Sequence, residues 1–446
     1  MDTLKETHSQ ATSPQAEPVT VVPLISADAL TSAIETILRE TMQNPHMAAF
    51  SPQARLNEDL YLDSVLVLQL MLHLELDLGL RLPDTHLTKD DYATVASLVA
   101  FLQRTEQQTE SVPPATSASA QEEFEDVKVH CFVSCVCESL KRAGIDHRPF
   151  YFGVWDATFT VTEDHHLRYH AEDVDHADFR YWFNRLFGVA LVSWYCPEKD
   201  KASNIATLQH LLATKRATEQ LMVMLDLFQL PERENKFNQN PFPHYVLLTQ
   251  GTTPEQLWIS DPDFRWEGEL ETARVLQAVA QPTVAGGYVF DEQHLHSASD
   301  AEVKAYFDAC FFMDRYPLAE AIETIVDAHM ASGDVAILTL ALREIRVIAV
   351  RKYAYEHGFA FFWRALGLPE EEFEAWCEVI ESLVQGYFKV QYLVMKLAET
   401  GVESLQSEVA QQLVLVVETE REIKQHLHEV YRDWCEFALA FTPASA

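Results

Sequence analysis

Positive charge is what this 446-residue sequence has least of: 33 Lys and Arg stand against 68 Asp and Glu, for a formal net charge of -35. That shortage argues against nucleic acid and anionic membrane surfaces as partners, because phosphate binding needs clustered Lys and Arg. It suits a cationic partner, and it equally suits solubility alone. Long apolar runs are missing too, so no membrane span is expected. The opening "MDTLKETHSQATSPQAEPVT" has no signal-peptide apolar core, which predicts a cytoplasmic protein. Cysteines number seven, an odd and scattered set that points to reduced thiols rather than a disulfide framework. No internal repeat of fixed period occurs.

What is present is 48% hydrophobic residues in a chain long enough for two or three domains with real cores. Residues 1–24 are polar and Ser/Thr/Gln/Pro-rich, and are expected to be disordered. Residues 25–103 hold three helical patterns, "ADALTSAIETILRETM", "SVLVLQLMLHLELDLGL" (with Gly79 near its end) and "YATVASLVAFLQ", which predict a small helical bundle. Residues 104–123 contain almost no core formers and read as a linker. Residues 124–298 are mixed. "VHCFVSCVCESLKRAG" reads as a helix, "LMVMLDLF", "HYVLLTQ" and "QLWISD" as strands, the last two forming a hairpin across "GTTPE". Residues 299–446 are almost wholly helical, including "VAILTLALREIRVIAVRKYAYEHG" as one helix. The expected fold class is therefore multidomain, α and α+β.

Two places carry candidate chemistry. In "LYLDSVLVLQL", Asp63 and Ser64 open an apolar helix. An ordinary N-cap explains either residue alone. Further on, Cys131 starts a helix, where the dipole favours thiolate. His244 starts one strand and Asp261 ends the next, so antiparallel pairing brings imidazole and carboxylate together. Cysteine, histidine and aspartate so arranged form the layout of thiol nucleophile chemistry. A buried structural cysteine remains the plain alternative. No second Cys/His group completes a zinc site with Cys131, Cys135 and Cys137, so no metal is expected.

With its surrounding helices and the acidic Glu75 and Asp77, the "DSV" motif resembles that of acyl carrier proteins. That resemblance implies a 4'-phosphopantetheine arm on Ser64, attached by a phosphopantetheinyl transferase. Val65 stands where that family usually has Leu. The "HC" helix start, "GID", Phe152-Gly153, "DLFQLP", "PHYVLL" and "DP" are similar to those of the butirosin-type acyl-carrier:amine acyltransferases. Their fold is a papain-like domain followed by a helical one. The similarity implies Cys131, His244 and Asp261 as catalytic triad, either through an acyl-Cys131 or with direct amine attack and His244 as base. The stretch "FYFGVWDATF" is less glycine-rich than in that family, which puts the pocket floor in doubt. The combination also resembles the aryl-transferring enzymes of petrobactin-type siderophore assembly. This implies a 3,4-dihydroxybenzoyl donor, an adenylation enzyme that activates it, and spermidine or a related polyamine as acceptor in an acidic pocket between the two domains. A hydrolase of the same thioester and a non-catalytic carrier scaffold are the alternatives. A flexible linker of this length spans roughly 25 Å and gives about millimolar effective concentration, enough for delivery in cis.

Three further sets are read structurally. His165, His166, His170 and His176 are expected in a solvated loop. Trp155, Trp182 and Trp194 are expected in the core. Glu320, Glu323 and Asp327 are expected on a solvated helix face.

Overall fold

The computed structural model describes residues 25–62, 64–78, 80, 89–108, 129–171, 174–230 and 240–440. The expected disordered segment 1–24, Asp63, Gly79, the side chain of Ser64 and most of the expected linker lie outside the described residues.

Apolar residues one helical turn apart build the first unit. Helix α1 (Ala27–Thr36) is capped by the Ser26 side chain, which accepts from the Ala29 N–H at 3.2 Å. It continues as a π-helical turn, Ile37–Thr41. Helices α2 (Ser64–Leu78) and α3 (Val95–Gln108) complete a bundle around Leu30, Ile34, Leu70, Leu74, Leu98 and Leu102. Helix α3 runs past Gln103, where the linker is expected to begin, because Arg104, Glu106, Gln107 and Gln108 are good helix formers.

The mixed region opens with α4 (Cys131–Arg142), a two-residue hairpin β1 (Thr160–Val161) and β2 (Leu167–Arg168), and α5 (Ala177–Phe187). Then come β3 (Val192–Ser193), α6 (Lys201–Thr214), β4 (Glu219–Asp226), β5 (Pro243–Gln250), β6 (Gln256–Asp261), β7 (Trp266–Glu271), α7 (Thr272–Val279) and β8 (Gly287–Asp291). The sheet is antiparallel, in the order β3-β8-β4-β5-β6-β7. Strand periodicity sends Met222, Met224, Tyr245 and Leu247 to one face, against α4. Val223, Leu225, Val246 and Leu248 go to the other, against α6 and α7. Both faces are covered, which is why these strands read as continuous apolar runs.

The rest is helical: α8 (Asp300–Cys310), α9 (Pro317–Ser332), α10 (Leu338–Ala341), α11 (Ile345–Ala349), α12 (Ala354–Leu366), α13 (Glu370–Thr400) and α14 (Ser404–Ala440). The single helix expected over "VAILTLALREIRVIAVRKYAYEHG" is instead broken into α10, α11, α12 and two 3-10 turns, Val335–Ile337 and Val350–Tyr353. The segment is apolar around its circumference, and one straight helix would bury only part of it. The breaks bury Leu338, Ala341, Ile345 and Ala349 and turn Arg351 and Lys352 inward. Glu320, Glu323 and Asp327 are exposed on α9. No helix among the described residues is long and apolar enough to cross a membrane.

Candidate active site

Cys131 is the first residue of α4, half-buried, after His130 in extended backbone (φ -168, ψ 108). The apolar face of α4 packs on the sheet, and two hydrogen bonds fix its position. Ser134 Oγ donates to Asp263 Oδ1 at 2.7 Å, and Cys135 Sγ donates to the Tyr245 carbonyl at 3.4 Å. His244 is the second residue of β5 and Asp261 the last of β6. Their side chains meet, His244 Nε2 lying 3.0 Å from Asp261 Oδ1. That oxygen also accepts from the Phe264 N–H at 3.1 Å. Cys131 lies near enough to His244 to act on the charge of its ring. With Nε2 facing the carboxylate, Nδ1 is the atom left to face sulfur. Phe264 and Phe242 pack against the imidazole at 5.0 and 5.7 Å between centroids. The structure thus brings Cys131, His244 and Asp261 together. Ser64 is the first residue of α2.

Burial opposes a charge on His244, yet Asp261 and Cys131 outweigh it and raise its pKa well above the ordinary imidazole value. Neighbouring histidines go the other way. Burial, then Arg351, His176 and His244, push His130 well down. Burial, then His170, Arg351 and Arg180, push His176 down to about 3. Arg351 comes from the helical region, is itself buried, and donates to the carbonyls of Ala157 (3.1 Å), Thr158 (3.2 Å) and Tyr169 (3.4 Å). Burial lowers its pKa to about 10, against the pull of Cys131.

The expected solvated histidine loop is corrected. His165 is exposed, but His166 is buried, and His170 and His176 are half-buried. The cause is α5, whose Phe179 and Phe183 join the core and draw His176 onto Phe132 (centroids 4.4 Å) and Tyr245 (5.5 Å). The apolar spacing of "ADFRYWF" was the available signal. No group of three or more metal-ligating side chains lies among the described residues. Trp155 stacks on Tyr355 in the core, and Trp194 Nε1 donates to the Met222 carbonyl at 3.1 Å. Trp182 instead lines a cavity of about 390 Å³ that includes His130, His176, Asp175 and Asp178 and reaches α8.

The chain belongs to the DUF6005 family. The family's N-terminal domain matches residues 126–295 and its C-terminal domain residues 301–444. Petrobactin synthase of Bacillus anthracis is 38% identical over 318 residues, 70% of this chain and 96% of that protein. Acyl carrier protein AsbD of the same organism is 36% identical over 76 residues, 17% of this chain and 84% of that protein. This sequence therefore unites an acyl-carrier-like segment with a petrobactin-synthase-like one.

Proposed function

We propose that the chain is a carrier-dependent acyltransferase of siderophore biosynthesis that forms an amide by passing an aryl group, such as 3,4-dihydroxybenzoyl, to a polyamine such as spermidine. The observation that carries this reading is the Cys131–His244–Asp261 arrangement, with one helix packed on an antiparallel sheet. The carrier relative adds the donor side. Ser64, at the start of a helix held by the bundle core, fits as the attachment point of phosphopantetheine. The arm would supply the acyl group as a thioester and the reach to deliver it. A phosphopantetheinyl transferase and an adenylation enzyme are the partners this requires, and the cytoplasm is where they would act together.

On this chain's side, His244, held by Asp261, takes the proton of the Cys131 thiol as sulfur attacks. The Cys131 thiolate takes the acyl group, and His244 gives its proton to the departing thiol. Neutral His244 then receives the proton released as an amine attacks acyl-Cys131, and Cys131 leaves as thiolate. Asp261 orients the ring throughout and stabilises its charged form.

The test is intact mass spectrometry of the full chain, loaded at Ser64, before and after spermidine. Without amine, acyl mass should appear on the Cys131 peptide, and spermidine should clear it as amide. Cys131→Ala should leave Ser64 loading intact and slow amide formation by about 10³-fold or more. Amide formation at the parent rate would replace acyl-Cys131 with direct attack. Free acid released at equal rate with and without amine would make the protein a hydrolase.

A further inference from the structure

His244 stands on a stretch of β5 that the sheet holds on one side only. Towards β4, the Phe242 carbonyl accepts from the Leu227 N–H at 2.9 Å and the ladder continues from Pro243. Pairing with β6 begins only at Leu247. Ahead of it, the carbonyls of Tyr245 and Pro243 alternate to the same side as Leu247 and take their hydrogen bonds elsewhere. Tyr245 accepts from Cys135 Sγ of α4 at 3.4 Å. Pro243 accepts from the Tyr169 hydroxyl at 3.1 Å. His244 lies between these two carbonyls, so one bond ties its backbone to the helix that carries Cys131 and the other to Tyr169. Tyr169 follows β2 and packs against the cores on both faces of the sheet. Its own backbone is gripped by the helical region. The Tyr169 N–H donates to Glu344 Oε2 at 2.7 Å, and its carbonyl accepts from Arg351 at 3.4 Å. Glu344 is buried, sits where the long apolar segment breaks between α10 and α11, and pairs with Arg168 at 3.3 Å. Burial first, then Glu344 and Cys131, raise the Tyr169 pKa well above the ordinary phenol value, so its hydroxyl stays a donor.

We propose that Tyr169 is a positioning residue for His244: gripped by Glu344 and Arg351, it transmits the placement of the helical region to the Pro243 carbonyl and so fixes where the imidazole stands relative to Cys131. The assignment rests on the transferase reading above. There His244 takes the proton of the Cys131 thiol, gives it to the departing thiol and later receives the proton of the amine. Each transfer requires the ring within hydrogen-bond reach of the reacting atom. Asp261 holds Nε2 at 3.0 Å and sets the tilt of the ring, while the bonds at Pro243 and Tyr245 set the backbone beneath it. The helical region thereby takes part in the alignment of the catalytic base without contributing a group that touches substrate.

Tyr169→Phe removes the hydroxyl alone, and two measurements on the full chain test its effect. The first is amide formation from protein loaded at Ser64, at a temperature where urea titration shows parent and variant both folded. The limiting rate at saturating spermidine should fall by about tenfold or more, with the half-saturating concentration within about twofold of the parent's. A purely structural role would leave that limiting rate unchanged, and a parent-like rate overturns the assignment. The second measurement needs no transfer. Alkylation of Cys131 by iodoacetamide at neutral pH, followed by mass spectrometry of its peptide, reports how well His244 serves the thiol. It should slow by about threefold or more in Tyr169→Phe, in the same direction as in His244→Gln. Alkylation at the parent rate in Tyr169→Phe, where His244→Gln is slowed, overturns the placement. If the parent forms no amide yet both variants slow alkylation, the transferase reading fails and the role of Tyr169 stands.

Discussion

Three histidines near Cys131 are all largely shielded from water, yet their pKa values move in opposite directions. Burial lowers each of them, and only His244 has a buried carboxylate at 3.0 Å to reverse it. The consequences for stability have opposite signs. His244, with its raised value, adds stability that is complete below the unfolded pKa near 6.5 and is lost as pH rises through the folded value. His176, lowered to about 3, adds stability that is complete above about 6.5 and is lost as pH falls towards 3, because the unfolded chain takes up a proton the folded chain refuses. His176→Phe removes that uptake while keeping an aromatic ring against Phe132. Its acid-unfolding midpoint, followed by tryptophan fluorescence, should shift to lower pH than the parent's. An unchanged midpoint would mean that His176 titrates freely in the folded protein.

Between elements, the mixed and helical regions are joined by charge as well as by apolar packing. Lys352, in the 3-10 turn before α12, bonds Asp156 at 2.8 Å and Glu420 of α14 at 2.7 Å. Lys424, one turn along α14, reaches Asp156 at 3.0 Å and the carbonyls of Phe312 and Arg315. Tyr355 and Tyr387 donate to Glu420 at 2.8 and 3.4 Å. These charged side chains are at most 9% exposed. Such a network gives little net stability when complete, but removing one member strands the others at about 3–5 kcal/mol. Asp156→Ala should therefore lower the unfolding free energy by about that much. The urea midpoint should fall with little change of slope. A loss under about 1 kcal/mol would mean that water reaches both lysines and screens them.

For the whole molecule, the carrier-like bundle has its own core and touches the helical region through α2 and α13. Glu75 lies 2.5 Å from Lys396 Nζ and accepts a hydrogen bond from Tyr392. The ion pair is partly exposed, 25% and 21%, so it contributes at most about 1 kcal/mol. An ion pair that weak does not by itself fix the bundle against α13. Glu75→Lys sets like charges together, and the radius of gyration from small-angle scattering should increase. The double reversal E75K/K396E should restore it. Equal compactness in all three proteins would show that the pair does not hold the bundle in place.

The helix starts at Ser64 and Cys131 and the hairpin joining His244 to Asp261 were legible in the sequence, because each depends on apolar periodicity and turn residues within a short window. A strand start and the end of the following strand are neighbours by topology alone, and this made two of the three candidate triad residues readable as a pair. The third needed α4 to dock on the sheet, a matter of side-chain packing. His130, His176 and Arg351 were not identified as part of the site, since their placement depends on α5 and the helical region folding against α4. The break in the helix expected over residues 335–358 was hidden for a related reason: an all-round apolar run favours helix locally, and burial against several neighbours decides where it bends. Lys352 and Asp156 are 196 residues apart, and no local pattern links them. Local spacing determined the elements and the hairpin pair, while the cavity and the buried charges were decided only by which surfaces the complete fold removes from water.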